Sequence, residues 1–560
     1  MRPFPSFFVH LAWLALVVFL APVPALAATK QTVCTITVNS PDEKEAFRRH
    51  LPADRFQFVE LVERGRPDWL ASARRKGVRC DFLVISGHYD GGDYAGGNEF
   101  FSEHPEAREF LSVDEMERVA CSEPDDGPFS HLKAVYLFGC NTLNPEALRS
   151  SPAEIARTLV QSGHAPAQAD RLAREMSPRF ADSSRDRMRH IFRNVPVIYG
   201  FSSTAPLGPT AATYLDRYLR AGGTQEVTSG RPTNRILGYF PGRSLTATRG
   251  STDADPDAGF RRDVCQFLDD RLTPVQRAQF VHRLLGRDMA EVRLFLDRLE
   301  RYAASLRPAQ ARTPEVASEL ATIAGDGAAR SRYLAFMQAS SDAGLRVRMI
   351  NLAAELGWLS PDERLAALGH LVGDLYAHAA PTAADVDLVC KLNADNMLNG
   401  TRADFAHEAP VDVPHAAIVA CLGSTGGRAR VLRALTSARE GDARVARTYL
   451  RHRPIADVNE LRVVTSEIAQ MPDPDSQVRA LDTLADHRLS DPDALAEVVA
   501  LFPATHSIRV QRAIAGVLIR ADYRGDASHA LVQTLREHRL KSPDGRDLID
   551  VLIDHLEAIS

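Results

Sequence analysis

Two short apolar runs set the tightest limit on how this 560-residue chain folds. The first is Cys80-Asp81-Phe82-Leu83-Val84-Ile85-Ser86-Gly87-His88, and the second is Lys133-Ala134-Val135-Tyr136-Leu137-Phe138-Gly139-Cys140. Both are rich in β-branched and aromatic residues, and both end in turn-prone positions. A strand with one wet face alternates apolar and polar side chains. A run without that alternation reads as a strand buried on both faces of a parallel sheet. Three further strands are expected at Val33–Val38, Phe56–Val62 and Val195–Ser203. Helix signals fall between them. Ser40-Pro41-Asp42-Glu43 begins one helix, with Ser at the cap and Pro at the first position. Another over Pro67–Lys76 is stopped by Gly77, and Ser112-Val113-Asp114-Glu115 opens a third. Two or three follow between Pro152 and Arg193, and Thr210–Ala221 is amphipathic. This alternation predicts a doubly wound, mainly parallel α/β domain over residues 28–225.

Open parallel sheets bind ligands just beyond the carboxyl ends of their strands. The two runs deliver a histidine and a cysteine to that edge, 52 positions apart (88 to 140). A free thiol, with a pKa of about 8.5, is mostly protonated near neutrality and needs a base or cation beside it to act as a nucleophile. His88 and Cys140 are therefore the candidate catalytic pair. The alternative is a structural cysteine and a satisfied histidine, the common fate of each taken singly. Ser202 and Ser203 leave the fifth strand toward the same edge, either as substrate contacts or simply as polar residues ending a strand. Tyr89–Ser102 reads as a glycine-rich loop carrying Asp90, Asp93 and Glu99. It is a flexible turn, or an acidic wall that favours a basic substrate side chain. A Gly-x-Ser-x-Gly elbow and a Gly-x-Gly-x-x-Gly turn after the first strand are both missing, which argues against a serine hydrolase and a dinucleotide fold. No Cys/His spacing suits zinc, and no metal or other cofactor is expected.

In Ile85-Ser86-Gly87-His88 and Leu137-Phe138-Gly139-Cys140-Asn141-Thr142 the chain resembles the caspase-like (clan CD) cysteine peptidases, most of all their CHAT branch. In that group the histidine follows one strand and the cysteine the next, about 50 residues apart in caspases. Cysteine, a polar residue and threonine in sequence is similar to the CHAT pattern. The resemblance covers the first third of the mature chain. It implies a caspase-like fold and hydrolysis of a peptide or protein substrate, with Cys140 as nucleophile and His88 as general base. Tyr89 stands where the family usually has a glycine whose N–H helps to hold the oxyanion. That departure favours a rival reading, a caspase-like scaffold or protein-binding module without turnover.

Residues 1–27 read as a secretory signal: Arg2, the apolar run Leu11–Leu20, breaks at Pro22 and Pro24, and the small-residue site Ala25-Leu26-Ala27. Cleavage after Ala27 is expected, with an uncleaved anchor as the alternative. No other stretch is long enough to span a bilayer. The Ala/Arg-rich composition suggests a bacterium, and the expected location is the periplasm or the medium. In such a compartment cysteines pair. There are seven, so at least one stays free if all pairing is intramolecular. Cys140 is the natural remainder, and Cys34 with Cys80, both near strand beginnings, is the expected bridge. The net charge of −5 and the lack of a basic tract imply no nucleic-acid partner.

Residues 226–262 shift to Gly, Pro, Ser, Thr and Asp and read as a linker. From 263 to 560 the pattern is helical. Four similar segments centre on Val347, Val445, Val478 and Val510, spaced by 98, 33 and 32. Periods of that size indicate solenoids. The region resembles HEAT-like repeats, whose concave surfaces bind protein partners. An irregular helical domain is the alternative.

Overall fold

The computed structural model describes residues 30–560 except 39, 62–76, 90–97, 103–109, 124, 148, 181, 232, 309–312, 395–397, 399–409, 487–488, 522–526, 542–546 and 560. The expected signal segment and the helix over Pro67–Lys76 lie outside the described residues, as do Asp90 and Asp93. The chain divides into two compact units, Met1–Glu319 and Leu320–Ser560.

The first unit is built on a six-stranded sheet. Its strands in chain order are β1 (Gln31–Thr37), β2 (Phe56–Glu60), β3 (Phe82–Ser86), β7 (Ala134–Phe138), β8 (Ile198–Phe201) and β9 (Leu245–Thr248). Their spatial order is β2-β1-β3-β7-β8-β9. The first five are parallel, and β9 runs antiparallel along β8. β3 and β7 are buried at every position, because each feeds two cores. Leu83, Ile85, Val135 and Leu137 face one core, and Phe82, Val84, Ala134, Tyr136 and Phe138 face the other. The helices α1 (Asp42–His50), α2 (Val113–Ser122), α3 (Pro152–Gln161), α4 (Pro166–Met176), α5 (Ser184–Ile191) and α6 (Gly208–Tyr218) fall between strands. Ala46, Phe47, Ala211 and Leu215 from α1 and α6 cover one face, whereas Val113, Met116, Val119, Met188 and Ile191 from α2 and α5 cover the other. Helices on both faces of a mostly parallel sheet make the doubly wound arrangement.

Between β3 and β7 the chain forms a second, antiparallel sheet of three short strands, β4 (His88–Tyr89), β5 (Glu99–Phe101) and β6 (Phe110–Ser112). The segment Tyr89–Ser102, expected as a loop, is thus partly strand, since Tyr89 pairs with Phe100. Strands of two or three residues carry no legible alternation.

The stretch 226–262 is not a linker. It contains β9, the sheet's sixth strand, and its acidic end is pinned to α5 and the turn just after it. Asp257 lies 2.9 Å from His190 and Asp255 2.9 Å from Arg189, and Asp253 pairs with Arg193. The composition misleads because β9 is an edge strand that buries only Leu245, and because the aspartates are held by partners remote in sequence. Short helices α7 (Thr224–Thr228) and α8 (Ala258–Leu268) flank β9, followed by α9 (Pro274–Leu285), α10 (Met289–Leu294) and α11 (Leu296–Ser305). These last helices belong to the first unit. A disulfide joins Cys121 of α2 to Cys265 of α8. Glu117 of α2, 3% exposed, binds Arg187 of α5 at 3.0 Å and Arg298 of α11 at 3.1 Å. Burial alone would raise the Glu117 carboxyl, but the two guanidiniums hold it well below the usual carboxylate range.

The second unit is helical among its described residues. Helices Glu440–His452, Pro474–Ala485 and Ile508–Leu518 begin after N-caps Arg439, Asp473 and Ser507, each 34 positions from the last. Two buried glutamines fix the register. Gln477 donates to the carbonyl of Ile468 and Gln511 to that of Phe502, each nine residues back. The period is therefore 34, and the valine alignment of Val478 with Val510 is slipped by two positions. No helix of the described residues is long and apolar enough to cross a membrane.

Candidate active site

The site forms where β3 and β7 end. Ser86 and Phe138 are partners in the ladder, and the next N–H, that of Gly87, donates to the Phe138 carbonyl at 3.1 Å. Gly139 then passes against the other chain. A Cβ at Gly139 would lie 2.9 Å from the Gly87 carbonyl oxygen and 2.9 Å from the Tyr89 Cβ, too close for any other residue without rearrangement. The two glycines thus let the segments bearing His88 and Cys140 leave the sheet in contact. Strand order reverses between β1 and β3, and the β3/β7 pair that bears His88 and Cys140 is the next one along the same carboxyl edge.

Cys140 is partly exposed and is the one free cysteine. The remaining six form Cys34–Cys80, Cys121–Cys265 and Cys390–Cys421. The expected bridge and the expected free thiol are both present. The Cys140 Sγ accepts the backbone N–H of Ala205 at 3.2 Å. The turn that follows is fixed against β8. Asn141 has a φ of +58°, a left-handed conformation that asparagine tolerates, and its N–H donates to the Ser203 carbonyl at 2.8 Å. Thr142 is fully buried. Its hydroxyl donates to the Gly139 carbonyl at 3.2 Å and accepts the Phe201 N–H at 3.0 Å. A Cβ at Gly200 would come within 2.7 Å of that hydroxyl, so the glycine makes room for it.

His88 lies on β4, directly across from Phe101, with the two rings 5.6 Å apart. Tyr89, the next residue, points to the opposite face. It is 2% exposed, packs on Phe100 and donates its hydroxyl to Asn98. The Tyr89 ring is therefore in the core, not in the site. Ser203, exposed, touches the Cys140 turn through its carbonyl, as above. Ser202 is drawn toward β9, its N–H donating to the Ser244 carbonyl at 2.9 Å and its hydroxyl to the same oxygen at 3.3 Å.

Three contributors escape sequence reading. Ala205 acts through its backbone, which leaves no side-chain signal. Thr142 stood in the motif, but its bridging role depends on β8, remote in sequence. Glu43, in the first turn of α1, reads as an acid complementing a helix N-terminus. In the fold it turns inward to 3% exposure, with Oε2 lacking a hydrogen-bond partner among the described residues. Burial pushes its carboxyl up to about 7, against the opposing pull of its own backbone N–H and the Ser86 hydroxyl. Among the described residues no group of three or more His, Cys, Asp or Glu side chains is placed to hold a metal ion.

What fold and site define together is an α/β protein with a free cysteine and a histidine at the carboxyl edge of adjacent parallel strands. Comparison with known proteins found no matching family model, no matching curated protein and no matching solved structure.

Proposed function

We propose that the chain is an exported cysteine endopeptidase of caspase-like fold that works through Cys140 and His88. The observation that carries this reading is the abutment of Gly87 and Gly139, which starts the histidine and cysteine segments side by side. His88 takes the thiol proton as the sulfur attacks the scissile carbonyl and a C–S bond forms. The Cys140 backbone N–H stabilises the resulting oxyanion. The C–N bond then breaks, and His88 passes its proton to the leaving amine. Water, deprotonated by His88, hydrolyses the thioester, which releases the acid and restores the thiol. The Ala205 N–H orients the sulfur before attack. Three disulfides and the apolar leader support an oxidising compartment, periplasmic or external. The 34-residue helical array, read as HEAT-like, serves to recruit a protein substrate or regulator.

The test is labelling of the mature chain with a thiol-directed electrophile, followed by a peptide cleavage assay. Labelling is expected at Cys140 alone. Cys140→Ala is expected to abolish cleavage and His88→Ala to cost nearly as much, with the double variant hardly worse than either, because the two act as a unit. Cleavage that survives the loss of Cys140 refutes the proposal.

A further inference from the structure

The small sheet that carries His88 has two unlike faces. Tyr89, Phe100 and Leu111 form one face and are buried in the core beneath β3 and β7. The cross-strand row on the other is His88, Phe101 and Phe110. Exposure rises along this row: His88 and Phe101 are half-buried, and Phe110 is 48% exposed. On the other side of the pair, the Ala205 N–H meets the Cys140 sulfur, and two residues further on stands Leu207, 65% exposed. Of the large apolar side chains exposed among the described residues of the first unit, Phe110, Val160 and Leu207, two flank the proposed catalytic pair.

Leu207 is also misplaced by every local rule. It is the N-cap of α6 and makes no side-chain cap bond, where Ser, Thr, Asp or Asn would satisfy a first-turn N–H. It therefore forfeits a cap and wets an apolar side chain at once. Departures of that kind concentrate where function overrides folding.

We infer that Phe101, Phe110 and Leu207 are specificity-determining residues, and that the substrate is a peptide with large apolar side chains flanking the scissile bond. The inference rests on the peptidase reading above and deepens it. It differs from the basic preference that Asp90 and Asp93 suggest in sequence. The occupant is the substrate because cross-strand pairing sets Phe101 and Phe110 in one row with His88, and Leu207 follows two residues after the N–H that meets the sulfur.

The experiment uses the full mature chain and three peptidyl acyloxymethyl ketones that differ only in the side chain beside the electrophile: Leu, Lys or Asp. Each labelling rate at Cys140 is divided by the rate with iodoacetamide, which removes changes in the thiol itself. The Leu probe is expected to exceed the other two by about 10-fold or more, the scale of a lost apolar contact in a pocket. Leu207→Ser and Phe110→Ser are each expected to lower the normalised Leu rate by about 10-fold, with the Lys rate held within about 2-fold. Both positions are exposed, and the serine at 207 supplies a cap, so the variants fold. Equal rates for the three probes, or an undiminished Leu preference in both variants, overturn the inference. Peptides bearing the same side chains are assayed in parallel. A Leu preference in labelling without any cleavage leaves the apolar subsites standing and removes the peptidase reading instead.

Discussion

Thr142 shows how much of the site one hydroxyl holds. It bridges the Gly139 carbonyl and the Phe201 N–H, both buried, and so ties the Cys140 turn to β8. Thr142→Val keeps the shape and leaves both partners unsatisfied. A loss of about 1–3 kcal/mol in denaturant unfolding is expected, together with slower alkylation of Cys140, and Thr142→Ser is expected to restore both. Glu43 sets a pH dependence. An acid whose native pKa lies above its unfolded value holds its proton more tightly in the folded chain. Its effect is thus favourable below the unfolded value of 4.5, and stability falls as pH rises from there to about 7. The full change is about 3 kcal/mol at 1.36 kcal/mol per unit. Glu43→Gln is expected to flatten that part of the stability profile and to raise stability at pH 8. An unchanged profile refutes the assignment. Leu207→Ser is expected to gain about 0.5–2 kcal/mol by supplying the missing cap, while weakening selectivity for apolar substrates.

At the scale of elements, legibility followed burial. β3 and β7 were readable because every side chain on them meets a core, so each run is apolar throughout. Their ends were readable too, and that is how His88 and Cys140 came into view. β9 was not readable. With the sequence Leu-Thr-Ala-Thr at a sheet edge it buries one residue and resembles a loop. The three strands around His88 were too short to show a phase. The helical repeat was visible, but its register was set by Gln477 and Gln511 bonding to carbonyls of the preceding helix, not by the valines. A valine repeats wherever a helix is buried, whereas a buried glutamine needs one particular partner. The Ala205 contact escaped notice because a backbone N–H has no letter of its own.

The whole molecule is organised by its cross-links as well as its cores. Cys121–Cys265 joins α2 to α8 across 144 residues, beside the buried Glu117–Arg187–Arg298 network. Removing a loop constraint of that length costs about 2–5 kcal/mol. The double variant Cys121→Ser with Cys265→Ser is expected to unfold at correspondingly lower denaturant, and a midpoint equal to wild type sinks the expectation. The same bond has a topological result. Cys140, Ser203 and Ala205 all lie inside the covalent ring closed by Cys121 and Cys265, while His88 lies outside it. One cut of the backbone anywhere within that ring produces two pieces that stay tethered. They migrate as a single species until a reductant is added, so a nicked molecule keeps both halves of its site on one covalent body.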